Sequence, residues 1–218
     1  MKGYFIAGTD TGVGKTCVSA ALIRGLAAAG KQVAGMKPVA SGCEKTVDGL
    51  RNEDALLLMA AANVEKPYPM VNPFAFEPAI APHLAADLAG IQIDSGNIHS
   101  VFTACCEDLD NIIVEGVGGW LVPINARESM ADLAVLLNLP VLLVVGIRLG
   151  CISHTLLTVA AIEASGLPLA GWIANRVDSE CQQQEGIIAS IKKRIDAPLI
   201  ADIPWCLDVA TMPALVLP

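Results

Sequence analysis

Tyr4-Phe5-Ile6-Ala7-Gly8-Thr9-Asp10-Thr11-Gly12-Val13-Gly14-Lys15-Thr16-Cys17 decides the fold. A short apolar run enters a glycine-rich turn, and an Ala/Leu-rich stretch from about Thr16 to Ala29 leaves it as a helix, with Gly30 placed to cap it. Between a strand and a helix, the N–H groups of such a turn point inward at phosphate oxygens, and glycines let the chain approach closely. The helix N-terminus adds about half a positive charge, the lysine ammonium reaches the β/γ-phosphates and the threonine hydroxyl ligates Mg²⁺. The strict G-x-x-x-x-G-K-[ST] form would place its first Gly at Thr9; here Gly8 stands one residue earlier. A glycine turn capping an ordinary helix accounts for Gly14-Lys15-Thr16 alone, but the strand before and the helix after favour a nucleotide site.

Outward from this loop, strands and helices alternate. Val33–Met36 reads as a strand ending at Lys37-Pro38, Glu53–Ala62 as a helix, and the Pro-rich segment Pro67–Pro82 as a long loop. Ile112–Val114 ends in Glu115-Gly116, and Val141–Val145 ends in Gly146. Ser153–Ala164 has helical spacing, closed by Gly166 and Pro168, and Leu169–Ala174 and Leu199–Ile203 are the last strand candidates. Continuous apolar runs, rather than strict alternation, mark strands covered on both faces. Such strands separated by helices imply a mostly parallel sheet with right-handed crossovers. Ligands then bind beyond the strands' carboxyl ends, where Gly8, Lys37, Glu115, Gly146 and Asn175 fall. With no repeat or long linker, residues 1–218 are expected to form one domain.

The chain is 54% hydrophobic and 17% charged, which excludes disorder. Its net charge of −8 argues against a nucleic-acid binder, which needs a basic face, and 3 Trp, 2 Tyr and 4 Phe leave little for stacking bases. The longest apolar stretch, Leu133–Ile147, is interrupted by Asn138, Pro140 and Gly146. It falls short of the roughly 20 residues that span a bilayer and reads as a helix end followed by a buried strand. The N-terminus lacks the apolar core of an export signal. Seven Cys without a C-x-x-C pair then read as free thiols in a reducing compartment. A soluble cytoplasmic protein, with neither membrane nor nucleic acid as partner, is expected.

A phosphate loop needs a second acid for the metal. Ile112-Ile113-Val114-Glu115 has the expected form, a strand with a carboxylate at its end. The bare backbone of Gly116-Val117-Gly118-Gly119 suggests a ligand passing close. Asp54, at a helix start, reads from the residues alone as a first-turn acid favoured by the dipole. Lys37, beside the loop, offers a second cation for a charged reacting group. Gly150-Cys151-Ile152-Ser153 opens a helix whose free N–H groups either hold a carboxylate or are capped by Ser153. Cys151 has no basic surroundings and reads as small and buried. His83, His99 and His154 lack ligand spacing, and Asn175 follows a strand where an amide can read a base edge.

These residues resemble a known family. Gly8 to Thr16, Lys37-Pro38-Val39-Ala40-Ser41-Gly42, Gly49-Leu50-Arg51-Asn52 with Asp54-Ala55, Val71-Asn72-Pro73 and Pro82-His83 are similar to segments of dethiobiotin synthetase. So are Glu115-Gly116 with Gly118-Gly119-Trp120, Leu149-Gly150-Cys151-Ile152, Leu169 to Asn175 and Ile203-Pro204-Trp205. The resemblance runs in order over about residues 1–206 and is most specific in Lys37–Gly42 and Leu149–Ile152. It implies the P-loop NTPase fold, a three-layer α/β/α arrangement with helices on both sheet faces. It also implies ATP- and Mg²⁺-dependent closure of a ureido ring on 7,8-diaminononanoate with CO₂ or bicarbonate.

The resemblance implies roles as well. Thr16, Asp54 and Glu115 would hold Mg²⁺, and Lys15 and Lys37 would neutralise carbamate and γ-phosphate oxygens. Thr11 and Ser41 would meet the diamine or carbamate end. Gly150, Cys151 and Ser153 would bind the far carboxylate across a homodimer interface. Nucleotide contacts would run along Gly12, Val13, Gly14, Lys15, Thr16 and Cys17, along Gly116, Val117 and Gly118, and around the base at Asn175, Arg176, Pro204, Trp205 and Cys206. Three positions depart from the family pattern. Gly12 stands where relatives often carry an acid and Ser153 where Asn is expected. Arg176 creates Asn175-Arg176-Val177-Asp178, which resembles the guanine-reading Asn-Lys-x-Asp signature; ATP remains the expected nucleotide. Rival readings on the same loop are a partition-type switch ATPase, whose signature Lys is replaced here by Asp10, and a small-molecule kinase, whose Arg-rich lid has no counterpart.

Overall fold

The computed structural model describes residues 2–205 and 214–215. Its main sheet has six parallel strands: β1 (Lys2–Gly8), β2 (Val33–Met36), β7 (Asn111–Glu115), β8 (Val141–Gly146), β9 (Leu169–Asn175) and β10 (Leu199–Ile203), in the order β10-β9-β8-β1-β7-β2. Two small sheets flank it, a parallel pair of β3 (Val39–Ser41) with β6 (Phe74–Phe76) and a hairpin of β4 (Glu44–Thr46) with β5 (Gly49–Arg51). The helices are α1 (Lys15–Ala28), α2 (Glu53–Ala61), α3 (Tyr68–Val71), α4 (Pro82–Ala89), α5 (Ser95–Cys105), α6 (Met130–Leu137), α7 (Cys151–Ala164) and α8 (Gln184–Lys192).

Apolar side chains on both faces of the strands demand cover on both sides, and the core divides accordingly. Ile6, Ile113, Leu142, Val144 and Ile173 pack with Val18, Leu22 and Ile23 of α1 and Leu58 of α2. Their strand neighbours Phe5, Ile112, Val114, Leu143, Val145 and Trp172 pack against α5, α6, α7 and α8 through Ile98, Phe102, Leu133, Val159, Ile162 and Ile188. The result is the expected three-layer arrangement. At Gly35 in β2 the fit is close, since a Cβ there would lie 2.8 Å from both Ile23 Cδ1 and Leu58 Cβ.

The expected strands recur within one or two residues. The segment Pro67–Pro82 departs from expectation: it contains α3 and β6, and α4 begins at Pro82. Proline at the first turn of a helix needs no N–H partner, so Pro69 and Pro82 start helices rather than forbid them. Helix α7 begins at Cys151 with Gly150 as its left-handed N-cap, so Ser153 lies inside the first turn and is not the cap. The six described cysteines form no disulfide. Among the described residues, no helix is long and apolar enough to cross a membrane.

Candidate active site

The carboxyl ends of β1, β2 and β7 open into one cavity of about 750 Å³. Thr11, Gly12, Gly14, Lys15, Thr16 and Cys17 line it from the phosphate loop, Lys37 and Ser41 from the β2–β3 segment, and Glu115, Val117 and Gly118 from the end of β7. Asp54 enters from the first turn of α2. Twelve residues expected from the sequence therefore share one space, although they come from four chain segments.

Local chemistry explains the loop. Gly12 and Gly14 adopt φ of 71° and 87°, left-handed values that favour glycine, and Gly14 caps α1. Lys15 Nζ donates to the carbonyls of Asp10 at 3.0 Å and Gly118 at 2.7 Å, drawing the glycine run after β7 onto the loop. Burial, together with the neighbouring Lys37 ammonium, pushes the Lys15 amine down to about 8, against the pull of Glu115, Asp54 and Asp10. Asp10 also pairs with Arg148 at 2.6 Å.

The electrostatic centre is Lys37. Its Nζ donates to Glu115 Oε1 at 2.5 Å and the Gly116 carbonyl at 3.1 Å, and pairs with Asp54 Oδ2 at 3.0 Å. The Lys37 and Glu115 side chains are 4% and 0% exposed. Burial works against the charge on Lys37, but Glu115 and Asp54 outweigh it and hold the ammonium above its ordinary value. Burial likewise opposes the Asp54 carboxylate, and Lys37 and the Thr16 hydroxyl overcome it and hold that carboxyl below the usual range. Thr16 Oγ1 donates to Glu115 Oε1 at 2.9 Å, while Glu115 Oε2 is buried with no hydrogen-bond partner among the described residues. One hydroxyl and two carboxylates with a free oxygen are hard ligands that fit Mg²⁺, which takes few protein ligands and leaves room for water and phosphate.

The structure does not bring every expected residue into this cavity. Asn175 is buried, and its Nδ2 donates to the Val13 carbonyl at 2.9 Å, so its amide braces the phosphate loop rather than facing open space. Arg176 points away, pairing with Asp202 Oδ2 at 2.8 Å and Glu185 at 2.9 Å. Asp178 Oδ1 accepts from the Glu180 N–H in an Asx turn. Pro204 and Trp205 are exposed beyond β10, and Cys206 lies outside the described residues. Gly150, Cys151 and Ser153 lie outside the cavity as well, with Cys151 buried. Residues that the sequence reading missed also line the cavity: Glu53, Leu57, Ala79, Ile80, Ala81 and Val122. Pro82 joins them and marks the start of α4.

A parallel sheet, a glycine loop at the first strand end and a Lys-Thr pair opening the next helix define a P-loop nucleotide-dependent protein. Comparison agrees: the family model described as an AAA domain matches residues 2–212. Among solved structures, the MinC:MinD cell division protein complex of Aquifex aeolicus superposes with a TM-score of 0.59 at 20% identity, covering 94% of this chain and 81% of that one. The Mg-ADP complex of the septum site-determining protein MinD from Pyrococcus horikoshii OT3 gives 0.56 at 18%, covering 93% and 81%. These likenesses concern the fold alone. Among sequences, the ATP-dependent dethiobiotin synthetase BioD of Pseudomonas paraeruginosa PA7 is 48% identical over 95% of this chain and 92% of its own length. The proteins of the same name from Nitrosospira multiformis and Marinobacter nauticus are 50% and 45% identical, over 94% and 98% of this chain and 88% and 93% of their own lengths. The chain belongs to the dethiobiotin synthetase family, and with it to the ATP-dependent ligases of biotin biosynthesis.

Proposed function

We propose that the chain acts as one domain, residues 1–218, in the cytoplasm, and that its cavity closes the ureido ring of dethiobiotin from 7,8-diaminononanoate, CO₂ and ATP. One observation carries the assignment of the site. The phosphate loop and the Lys37 cluster share a single space, so a nucleotide's terminal phosphate and a second anion can meet there.

One substrate amine attacks CO₂ and loses a proton to give a carbamate. A carbamate oxygen attacks the γ-phosphorus and ADP leaves. The second amine then attacks the carbonyl carbon of the mixed anhydride, and phosphate leaves as the ring closes. Such transfer needs positioning and charge neutralisation more than covalent help. Lys15 and Lys37 supply the positive charge, and the loop N–H groups from Gly12 to Cys17 hold the phosphates. Thr16, Asp54 and Glu115 would hold Mg²⁺, which neutralises phosphate charge when bound. Thr11 and Ser41, both lining the cavity, orient the diamine. Gly116, Val117 and Gly118 border the phosphates, and Asn175, Pro204 and Trp205 lie on the base side.

The far carboxylate is assigned to Gly150, Cys151 and Ser153, reached across a homodimer. Exposed apolar side chains support an assembly face there: Leu121 and Leu157 border one depression beside Asp10, and Leu149 is 93% exposed at the start of α7. The test is phosphate release with Mg·ATP and bicarbonate, with and without the diamine. Release that needs the diamine and vanishes in Lys37→Ala is the expected result. Equal release without it would overturn the ligase reading and favour a switch ATPase.

A further inference from the structure

Lys37 is held from two directions, and only one of them faces the cavity. Its ammonium is gripped by Glu115 and Asp54, as described. Its backbone is gripped from behind: its N–H donates to the Val71 carbonyl at 2.8 Å, and its carbonyl accepts from Asn72 Nδ2 at 2.7 Å. Asn72 is buried and fully engaged, since Nδ2 also donates to the Phe74 carbonyl at 3.3 Å and Oδ1 accepts from the Tyr68 hydroxyl at 2.9 Å. The same Tyr68 oxygen accepts the Asn52 N–H at 2.7 Å. Asn52 is the N-cap of α2, its side chain accepting from the Ala55 N–H, and Asp54 sits in the turn so capped.

These contacts close a circuit. From the Lys37 carbonyl it passes through Asn72, Tyr68 and Asn52 into the first turn of α2, and returns through Asp54 to the Lys37 ammonium. We infer that Asn72 and Tyr68 are positioning residues, a relay that fixes the start of α2 against the end of β2 and so sets where Lys37 and Asp54 stand. Neither side chain lines the cavity. Linked hydrogen bonds in a low-dielectric setting reinforce one another, and a small misplacement at a phosphoryl-transfer site costs far more rate than affinity. Arg51 closes the outer side, its guanidinium 4.3 Å from the Tyr68 ring centre, and holds the ring in place. The inference rests on the proposed role of Lys37 and adds the device that aims it.

Tyr68→Phe removes the shared oxygen and little else. The expected result is a fall in kcat of about tenfold with the KM for ATP held within about twofold, because the phosphate loop is untouched. Phe102→Leu, buried in α5 away from the cavity, serves as a control of similar stability loss and should leave kcat unchanged. A second readout needs no turnover: the ¹⁵Nζ resonance of Lys37 in the nucleotide-free protein should shift in Tyr68→Phe and stay put in Phe102→Leu. Asn72→Ala, where it folds, should reproduce both effects. An unchanged kcat in Tyr68→Phe, or a fall shared by Phe102→Leu, would overturn the relay, as would an unmoved Lys37 resonance. Absence of diamine-dependent release in the wild-type protein with the resonance shift intact would instead overturn the ligase reading and leave the relay standing.

Discussion

The two ends of one sheet edge are built differently. At the β1–β7–β2 end, charges converge: Lys37, Glu115 and Lys15 are buried, Asp54 pairs with Lys37 and Thr16 donates to Glu115. At the β9–β10 end, charges are exposed and face outward. Arg176 bridges Asp202 and Glu185 on the surface, and Pro204 and Trp205 stand open to solvent. Buried opposite charges are costly unless fully paired, so the interior cluster is held far more rigidly than the surface pairs of the other end. Surface pairs contribute little and leave the β9–β10 end free to adjust.

Three substitutions probe this contrast, in descending order of expected effect. Lys37→Ala should lower kcat by about 10³-fold or more, and should destabilise the fold by about 3 kcal/mol because Glu115 loses its counter-charge inside the core. Adding Glu115→Gln should recover stability in denaturant melts without recovering phosphate release. Gly14→Ala should raise the KM for ATP by about tenfold and lower stability by about 1–2 kcal/mol, since the left-handed backbone is strained and the new Cβ meets Asn175 Nδ2. Asn175→Ala in the same chain removes the collision but not the strain, so a partial rescue is expected. Arg176→Ala should change the KM for ATP by less than about threefold and leave the preference for ATP over GTP intact; a larger shift would make the base-side end as organised as the other.

The smallest effect concerns acid. Hydrogen bonds from the Ser129 side chain and N–H hold the Asp132 carboxyl below its ordinary value at the start of α6. That cap contributes fully above the carboxyl's unfolded value, near 4, and is lost as pH falls through the lower folded value. Being exposed and screened, it is worth about 0.5 kcal/mol. Asp132→Asn should therefore match the wild type in melts near pH 2 and fall below it at pH 7.

Much of this was legible in residue order. The phosphate loop needs a strand, glycines and Lys-Thr in fixed succession, so it shows in one stretch of chain. The fully buried strands announce themselves as unbroken apolar runs. Asp54 was legible only through family resemblance, because a first-turn acid looks the same whether or not a lysine waits across the cavity. Asn72 and Tyr68 gave less still, because what they do depends on contacts with the ends of β2 and α2, far from them in sequence. The pairing of Arg176 was not legible, because a residue after a strand end is as free to turn toward Asp202 as toward a ligand.

Gly35 makes the sheet itself part of the site's calibration. Its missing side chain lets Leu58 of α2 rest directly on β2, and Leu58 lies one helical turn beyond Asp54 on the same helix. A single added methyl group would lift that helix and draw Asp54 away from Lys37 without touching anything in the cavity. In genetic terms, position 35 should yield loss-of-function alleles that look silent on any map of ligand contacts: folded, nucleotide-competent proteins whose lysine is aimed at the wrong place.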